Sequence, residues 1–127
     1  MKITRFEDIE GWQLSRELTR SIYAVTRGTK FFRDFGLRDQ IQRAAVSSML
    51  NVAEGFDGGS NAEFVKFLRY AQRSCTEVQS ALYVALDQEY ISSDLFENLY
   101  GKAQIARAKI GAFIKYLLSH DARTANS

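Results

Sequence analysis

Apolar residues recur every three or four positions along most of the chain, which is the period of an amphipathic α-helix. The pattern predicts four helices, over about residues 6–26, 37–56, 61–88 and 94–119, followed by a polar tail, 120–127, that is expected to fray. The expected inward-facing positions are Leu14, Leu18, Ile22 and Val25; Leu37, Ile41, Ala45, Ser48 and Val52; Phe64, Leu68, Ala71, Cys75, Val78, Leu82 and Leu86; and Leu95, Leu99, Ala103, Ala106, Ile110, Phe113 and Leu117.

Glycines and capping residues separate these segments. Gly28 is expected to end the first helix as a left-handed cap, and the run Gly55–Gly59 to end the second. Ser60 and Glu63 have the spacing of a capping box, and Asp94 opens a second such signal. Because the connections are short, successive helices should be antiparallel neighbours. The chain, 1–127, is therefore expected to form a single all-α domain, an antiparallel up-down-up-down four-helix bundle.

The composition supports long helices and excludes several kinds of site. The 127 residues include no proline, one cysteine and one histidine. Cys75 has no partner for an internal disulfide and falls on the inner stripe of a helix, where a thiol acts as a small hydrophobe. His120 alone makes a His-based metal site or a catalytic triad implausible. We therefore expect a protein that is not an enzyme and that needs no cofactor.

The net charge of +2 is too small to demand a nucleic-acid partner. No apolar run has the length of a membrane span, and the start of the chain lacks the apolar centre of a signal peptide. These observations favour a cytoplasmic protein with no membrane partner, and no motif for a small-molecule substrate is evident. The cluster Phe31, Phe32 and Phe35 is expected to cover one end of the core.

Two polar features could in principle carry chemistry. Asn51 and Glu54 share one face of the second helix, but without a Glu-x-x-His motif a metal site with Glu77 is not expected. A hydrogen-bonded layer of Asn51 and Glu54 with Gln72 or Arg73 is the simpler interpretation. The glycine run before the third helix lacks the Gly-Lys-Ser/Thr pairing of a nucleotide-binding loop and is expected only to turn the chain.

Basic residues form rows on three of the predicted helices, and these rows could follow the phosphates of RNA or DNA. The candidate residues are Arg16 and Arg20 on the first helix, Lys66, Arg69 and Arg73 on the third, and Lys102 and Lys109 on the fourth. The alternative is a solvated surface laced with salt bridges.

Some aromatic residues lie outside the inner stripes. Trp12, Tyr23 and Tyr83 could form a second buried face, which would mean self-association. Scattered surface aromatics are the alternative, because such residues are common on monomers.

The second and third helices carry a motif that occurs in a known family. Its residues are Gly36, Leu37, Arg38, Asp39, Gln40, Ile41, Gln42, Arg43, Ala44, Ala45, Val46 and Ser47, then Asn51, Val52, Ala53, Glu54, Gly55 and Phe56, with further similarity at Phe6, Glu7, Asp8, Ile9, Trp12, Glu63, Phe64, Phe67, Leu68, Ala71, Ser74, Glu77, Val78 and Leu82. Over about residues 6–118 the chain resembles the 23S rRNA intervening-sequence proteins, small bacterial four-helix bundle proteins formerly labelled S23 ribosomal proteins.

The resemblance implies a four-helix bundle that assembles as a homopentamer. Genes of this family often lie in insertions within the large-subunit rRNA gene, and its biochemical activity is not established. The family is more distantly similar to the accessory proteins of diversity-generating retroelements, which are pentameric and basic and work with a reverse transcriptase and nucleic acid. Within the motif, Arg43, Asn51, Glu54, Gly55 and Glu77 are interpreted as structural or interface residues.

Two positions depart from the family pattern, because Met49 and Phe32 stand where members commonly have proline. Because Met49 has a backbone N–H and proline does not, the second helix keeps its backbone hydrogen bond at this position. We expect a non-enzymatic, self-assembling bundle that binds RNA or DNA through its basic rows. The alternative is a protein-interaction scaffold whose basic residues serve only solubility.

Overall fold

Every regular element in residues 3–120, the part of the chain that the computed structural model describes, is helical. The elements are a 3-10 turn at Phe6–Asp8, α1 (Glu10–Val25), α2 (Thr29–Arg33), α3 (Phe35–Asp57), α4 (Asn61–Asp87) and α5 (Ser93–Ser119). The long helices α3, α4 and α5 pack in sequence, and α1 closes the bundle against both α3 and α5. The expected all-α four-helix bundle is confirmed. Residues 121–127 of the expected frayed tail lie outside the described residues.

The helix ends differ from the predicted ones in three places, the first of which is the start of α1 at Glu10 rather than at about residue 6. Gly28 has a φ of −59°, so it is not left-handed, and it begins the short α2 that the pattern did not predict. At the start of α5 the cap is Ser92 rather than Asp94, because the Ser92 Oγ accepts from the Leu95 N–H at 3.1 Å. At the start of α4, by contrast, the Ser60 Oγ accepts from the Glu63 N–H at 3.2 Å, as half of the predicted capping box.

The phenylalanine cluster only partly covers the core. Phe31 is 1% exposed, with its ring centroid 5.3 Å from that of Tyr90. Phe32 and Phe35, however, are 50% and 61% exposed and flank the guanidinium group of Arg38. The expectation that all three phenylalanines cover the end of the core is therefore wrong for two of them, since only Phe31 faces inward from α2.

One carboxylate joins two turns at this end of the bundle. Asp34 caps α3 by accepting from the Leu37 N–H at 3.1 Å, and it also accepts from the Tyr90 hydroxyl at 2.9 Å. The hydrogen bond to Asp34 raises the pKa of Tyr90 above its ordinary value of 10.0, and desolvation adds to the shift. Asp34 therefore ties the start of α3 to the turn between α4 and α5.

Small residues line the contact between α3 and α4, which is the most extensive helix contact in the bundle. Ala44 and Ala45 are buried on α3, and the Ser74 hydroxyl of α4 donates to the Ser47 hydroxyl at 2.9 Å. Near the turn, Gly55 lies against α4 so closely that an added Cβ would be 2.9 Å from the Phe64 ring. Small side chains thus bring these two helices together.

None of the helices in residues 3–120 has the apolar length that a bilayer span requires.

The thiol of Cys75 lies in the core of α4. Burial raises its pKa from 9.0 to about 12, and the positive charge of Arg107 offsets part of this shift. Between these two pH values the unfolded chain loses the thiol proton while the folded chain keeps it. The contribution of Cys75 to stability is therefore present below pH 9.0 and is lost as the pH rises toward about 12.

We expect Cys75 in the folded protein to resist a thiol reagent at about pH 8, because the thiol is both buried and protonated. In denaturant the same thiol should react completely within minutes. The measurement is the release of thionitrobenzoate with and without urea. Rapid reaction of the folded protein would contradict the burial of this residue.

Candidate nucleic-acid interface

Three exposed arginines gather on the outer side of the bundle where α4 and α5 meet. Arg69 and Arg73 are one turn apart on α4, and Arg107 faces them from α5. The three line a shallow depression of about 350 Å³ together with Gln72 and Thr76. The Gln72 Nε2 donates to the Arg107 carbonyl at 3.2 Å and so fixes the register of the two helices here. We call Arg69, Arg73 and Arg107 the basic cluster.

The arginines of the basic cluster form no salt bridge with any acid in the described part of the chain. The Arg73 guanidinium carbon lies 5.8 Å from the centroid of the Tyr70 ring, and Arg73 is exposed to solvent. Lys66, one turn from Arg69 toward the start of α4, is also exposed. This side of the bundle therefore presents a concentrated positive charge.

The basic residues predicted on the first and last helices are in a different environment. Three of them pair with acids of α1, and the fourth, Arg16, lies over the Trp12 ring. The pairs are Arg20–Glu17 at 3.6 Å, Lys102–Glu17 at 3.5 Å and Lys109–Glu10 at 3.8 Å. Lys102 also donates to the Ser21 hydroxyl at 2.8 Å. The side of the bundle formed by α1 and α5 therefore fits the alternative of a surface with salt bridges. The predicted basic residues on these two helices are separate from the basic cluster.

The family motif lines a separate groove between α3 and α4. The groove has a volume of about 470 Å³, and its lining includes Arg43, Asn51, Glu54 and Glu77. Glu77 accepts from the Gln40 amide, while Asn51 donates to the Ser47 carbonyl at 2.9 Å. No group of three potential metal ligands occurs in the described part of the chain.

The hydrogen-bond partners predicted for a polar layer at Asn51 and Glu54 are wrong. Gln72 bonds across to α5, and Arg73 belongs to the basic cluster, so neither reaches Asn51. Asn51 instead bonds within α3, to Ser47, whose hydroxyl is joined to Ser74 of α4. The link between α3 and α4 at this level therefore runs through the two serines.

The three aromatic residues considered for self-association have different surroundings. Trp12 is half-buried against the core, with its ring 5.2 Å from that of Phe6 and the Arg16 guanidinium 5.8 Å away. Tyr23 is 39% exposed beside α3, and Tyr83 is 51% exposed on α4. Trp12 thus has an intramolecular role in packing, whereas the two tyrosines remain accessible in this chain.

Arg107 was not among the predicted nucleic-acid-binding residues, although it completes the basic cluster. The predicted residues Lys102 and Lys109 lie on the same helix, α5. At 100° per residue, however, Arg107 faces α4, whereas the two lysines face α1. Its angular position relative to the buried Leu99 and Ala103 is the signal that could have identified it.

The comparisons with known proteins agree on the fold. The family model for the 23S rRNA-intervening sequence protein matches residues 7–112. A crystal structure of a protein of unknown function from the S23 ribosomal protein family of Bacteroides thetaiotaomicron VPI-5482 is 22% identical, with a TM-score of 0.75, and the match covers 83% of this chain and 98% of that one. No curated protein matches the sequence. Because the family model matches most of the chain, the protein belongs to the 23S rRNA-intervening sequence protein family.

Proposed function

We propose that this protein is a non-enzymatic, self-assembling bundle of the bacterial cytoplasm that binds RNA or DNA through the basic cluster. The observation that carries the proposal is the convergence of Arg69, Arg73 and Arg107 from two helices without a described acidic partner. A polyanion with closely spaced phosphates is the ligand that such a surface attracts most strongly, because each contact releases condensed counterions. Arginine also binds phosphate through two parallel hydrogen bonds.

We expect the double substitution Arg69→Ala and Arg73→Ala to weaken binding of a labelled RNA by at least about 10-fold. The slope of log affinity against log salt should fall by about 2, since each lost phosphate contact removes about one released counterion. Fluorescence anisotropy at about 50 and 200 mM salt measures both quantities. The same titration with duplex DNA shows whether the surface prefers one nucleic acid.

The matched control is the pair Arg20→Ala and Lys109→Ala, which removes the same charge from the side where both residues are paired with acids. This variant should keep the affinity within about twofold, because each charge has a carboxylate beside it and neither residue belongs to the basic cluster. Equal loss in both variants would assign the binding to net charge rather than to the cluster. Absence of binding even at low salt would reject the proposed function and favour the protein-interaction scaffold.

Self-assembly is supported by an apolar patch on the outer face of α3. Leu50 is 55% exposed beside Val46, and Val46 also adjoins Tyr23 of α1. Self-association would bury this patch and leave the α4–α5 side accessible. The expected assembly is the homopentamer that the family resemblance implies. Native mass measurement tests it, and a single species of 14.5 kDa would contradict self-assembly.

A further inference from the structure

The outer seam between α4 and α5 carries an aromatic cluster as well as the basic cluster. Tyr83 of α4 is 51% exposed, and its ring centroid lies 4.9 Å from that of Phe96 and 5.9 Å from that of Tyr100 on α5. The buried Phe96 packs against both tyrosines, of which Tyr83 is exposed and Tyr100 is partly buried. Tyr83 follows Arg73 by ten residues, which places it about 15 Å further along the helix axis.

Among the described residues, the side chains along the seam between the two clusters are neutral. The exposed acid Glu77 follows Arg73 by one turn on α4, but it faces α3, where it accepts from the Gln40 amide. On this side of α4 the intervening residues are Thr76, Gln79 and Ser80, and on α5 the intervening residue is Gln104. The Gln79 amide donates to Gln104 at 3.0 Å, so a neutral polar bridge joins the helices here. Asp87 and Glu97 lie beyond the tyrosines, toward the turn between α4 and α5. A polyanion can therefore run from the arginines to the tyrosines along neutral side chains, with Glu77 to one side toward α3.

We propose that this seam binds single-stranded nucleic acid, with phosphates over the basic cluster and an unpaired base stacked on Tyr83. The inference rests on the proposed function and specifies the ligand class of the same surface. Arginines alone would accept a duplex or a single strand, because both present phosphates. An exposed tyrosine ring adds a preference for unpaired bases, whose faces are hidden in the interior of a duplex. The alignment of the two clusters on one seam is what selects the single strand.

The test uses a labelled single strand of about 12 nucleotides, the same strand with abasic sites, and the corresponding duplex. The full-length protein should bind the normal strand about 10-fold more tightly than the abasic strand. Tyr83→Ala should remove this difference and leave duplex binding unchanged. Tyr83→Phe should keep the difference, because the ring and not the hydroxyl stacks on the base.

The outcomes separate the two proposals. Equal affinity for normal and abasic strands in the unmodified protein would overturn the stacking, and this measurement does not depend on how the variants fold. Tighter binding of the duplex than of the single strand would overturn it too. In both cases, binding that still depends on Arg69 and Arg73 would leave the proposed function standing. Failure of every nucleic acid to bind at low salt would reject both proposals.

Discussion

Replacing Ile22 by alanine is expected to lower the free energy of unfolding by about 2–5 kcal/mol. The Ile22 side chain is completely buried in α1, the helix that closes the bundle against α3 and α5. Its truncation removes three carbons from a packed core and leaves a cavity that the neighbouring helices cannot fill without moving. Urea unfolding followed by circular dichroism measures the change as a lower midpoint at an unchanged slope.

Ile105→Ala is the matched control for this substitution. Ile105 loses the same atoms, but it is 53% exposed and lies outside the predicted stripe of the last helix. Its replacement should change the free energy of unfolding by no more than about 0.5 kcal/mol. Equal effects of the two substitutions would mean that α1 does not pack as described.

Gly55→Ala is expected to destabilise the protein by about 1–3 kcal/mol, even though alanine is the better helix former. An added Cβ would lie 2.9 Å from the Phe64 ring, 3.0 Å from the Phe67 Cβ and 3.2 Å from the Phe64 carbonyl. Two of these neighbours are at or next to the backbone of α4, so the two helices would have to separate. Chemical denaturation measures the loss of stability.

Gly101→Ala is the matched control, because the same change of residue is expected to have the opposite effect on stability. Gly101 also lies inside a helix, α5, but a Cβ there would meet no atom within 4 Å. The substitution should therefore stabilise the protein by about 0.5–1 kcal/mol, because it reduces the entropy of the unfolded chain. If Gly55→Ala were stabilising as well, the close contact between α3 and α4 would be refuted.

The helical period was sufficient to predict the fold class because it determines which residues are buried along a long helix. On α4, for example, Phe64, Leu68 and Cys75 were all assigned to the inner stripe, and all three are buried. Leu95, assigned to the stripe of the last helix, is 37% exposed instead. It lies in the first turn of α5, where fewer neighbouring residues surround it.

Local details that depend on competition between nearby residues were less predictable. Ser92 and Asp94 are both good caps, and only the position of the preceding turn decides that Ser92 starts α5. Similarly, Gly28 can adopt a left-handed conformation, but α2 begins so soon afterwards that the chain does not use it. These choices depend on tertiary packing, which the local pattern does not contain.

Only part of the candidate site was predictable, because helical spacing places residues on one helix but does not say which helices face each other. The row containing Arg69 and Arg73 follows from helical spacing on α4 alone. Its completion by Arg107 depends on which helix faces α4, and the neutralisation of Lys102 depends on Glu17 of α1. The sequence separation between Lys102 and Glu17 is 85 residues, so no local pattern links them.

The glycine and serine contacts between α3 and α4 also have a consequence for the folding pathway. These two helices are consecutive in the chain, are joined only by residues 58–60, and share the most extensive contact in the bundle. Because closing so short a loop costs little entropy, this helical hairpin can form early, before distant parts of the chain meet. By contrast, the contact of α1 with α5 joins segments far apart in the chain, so its formation costs more entropy.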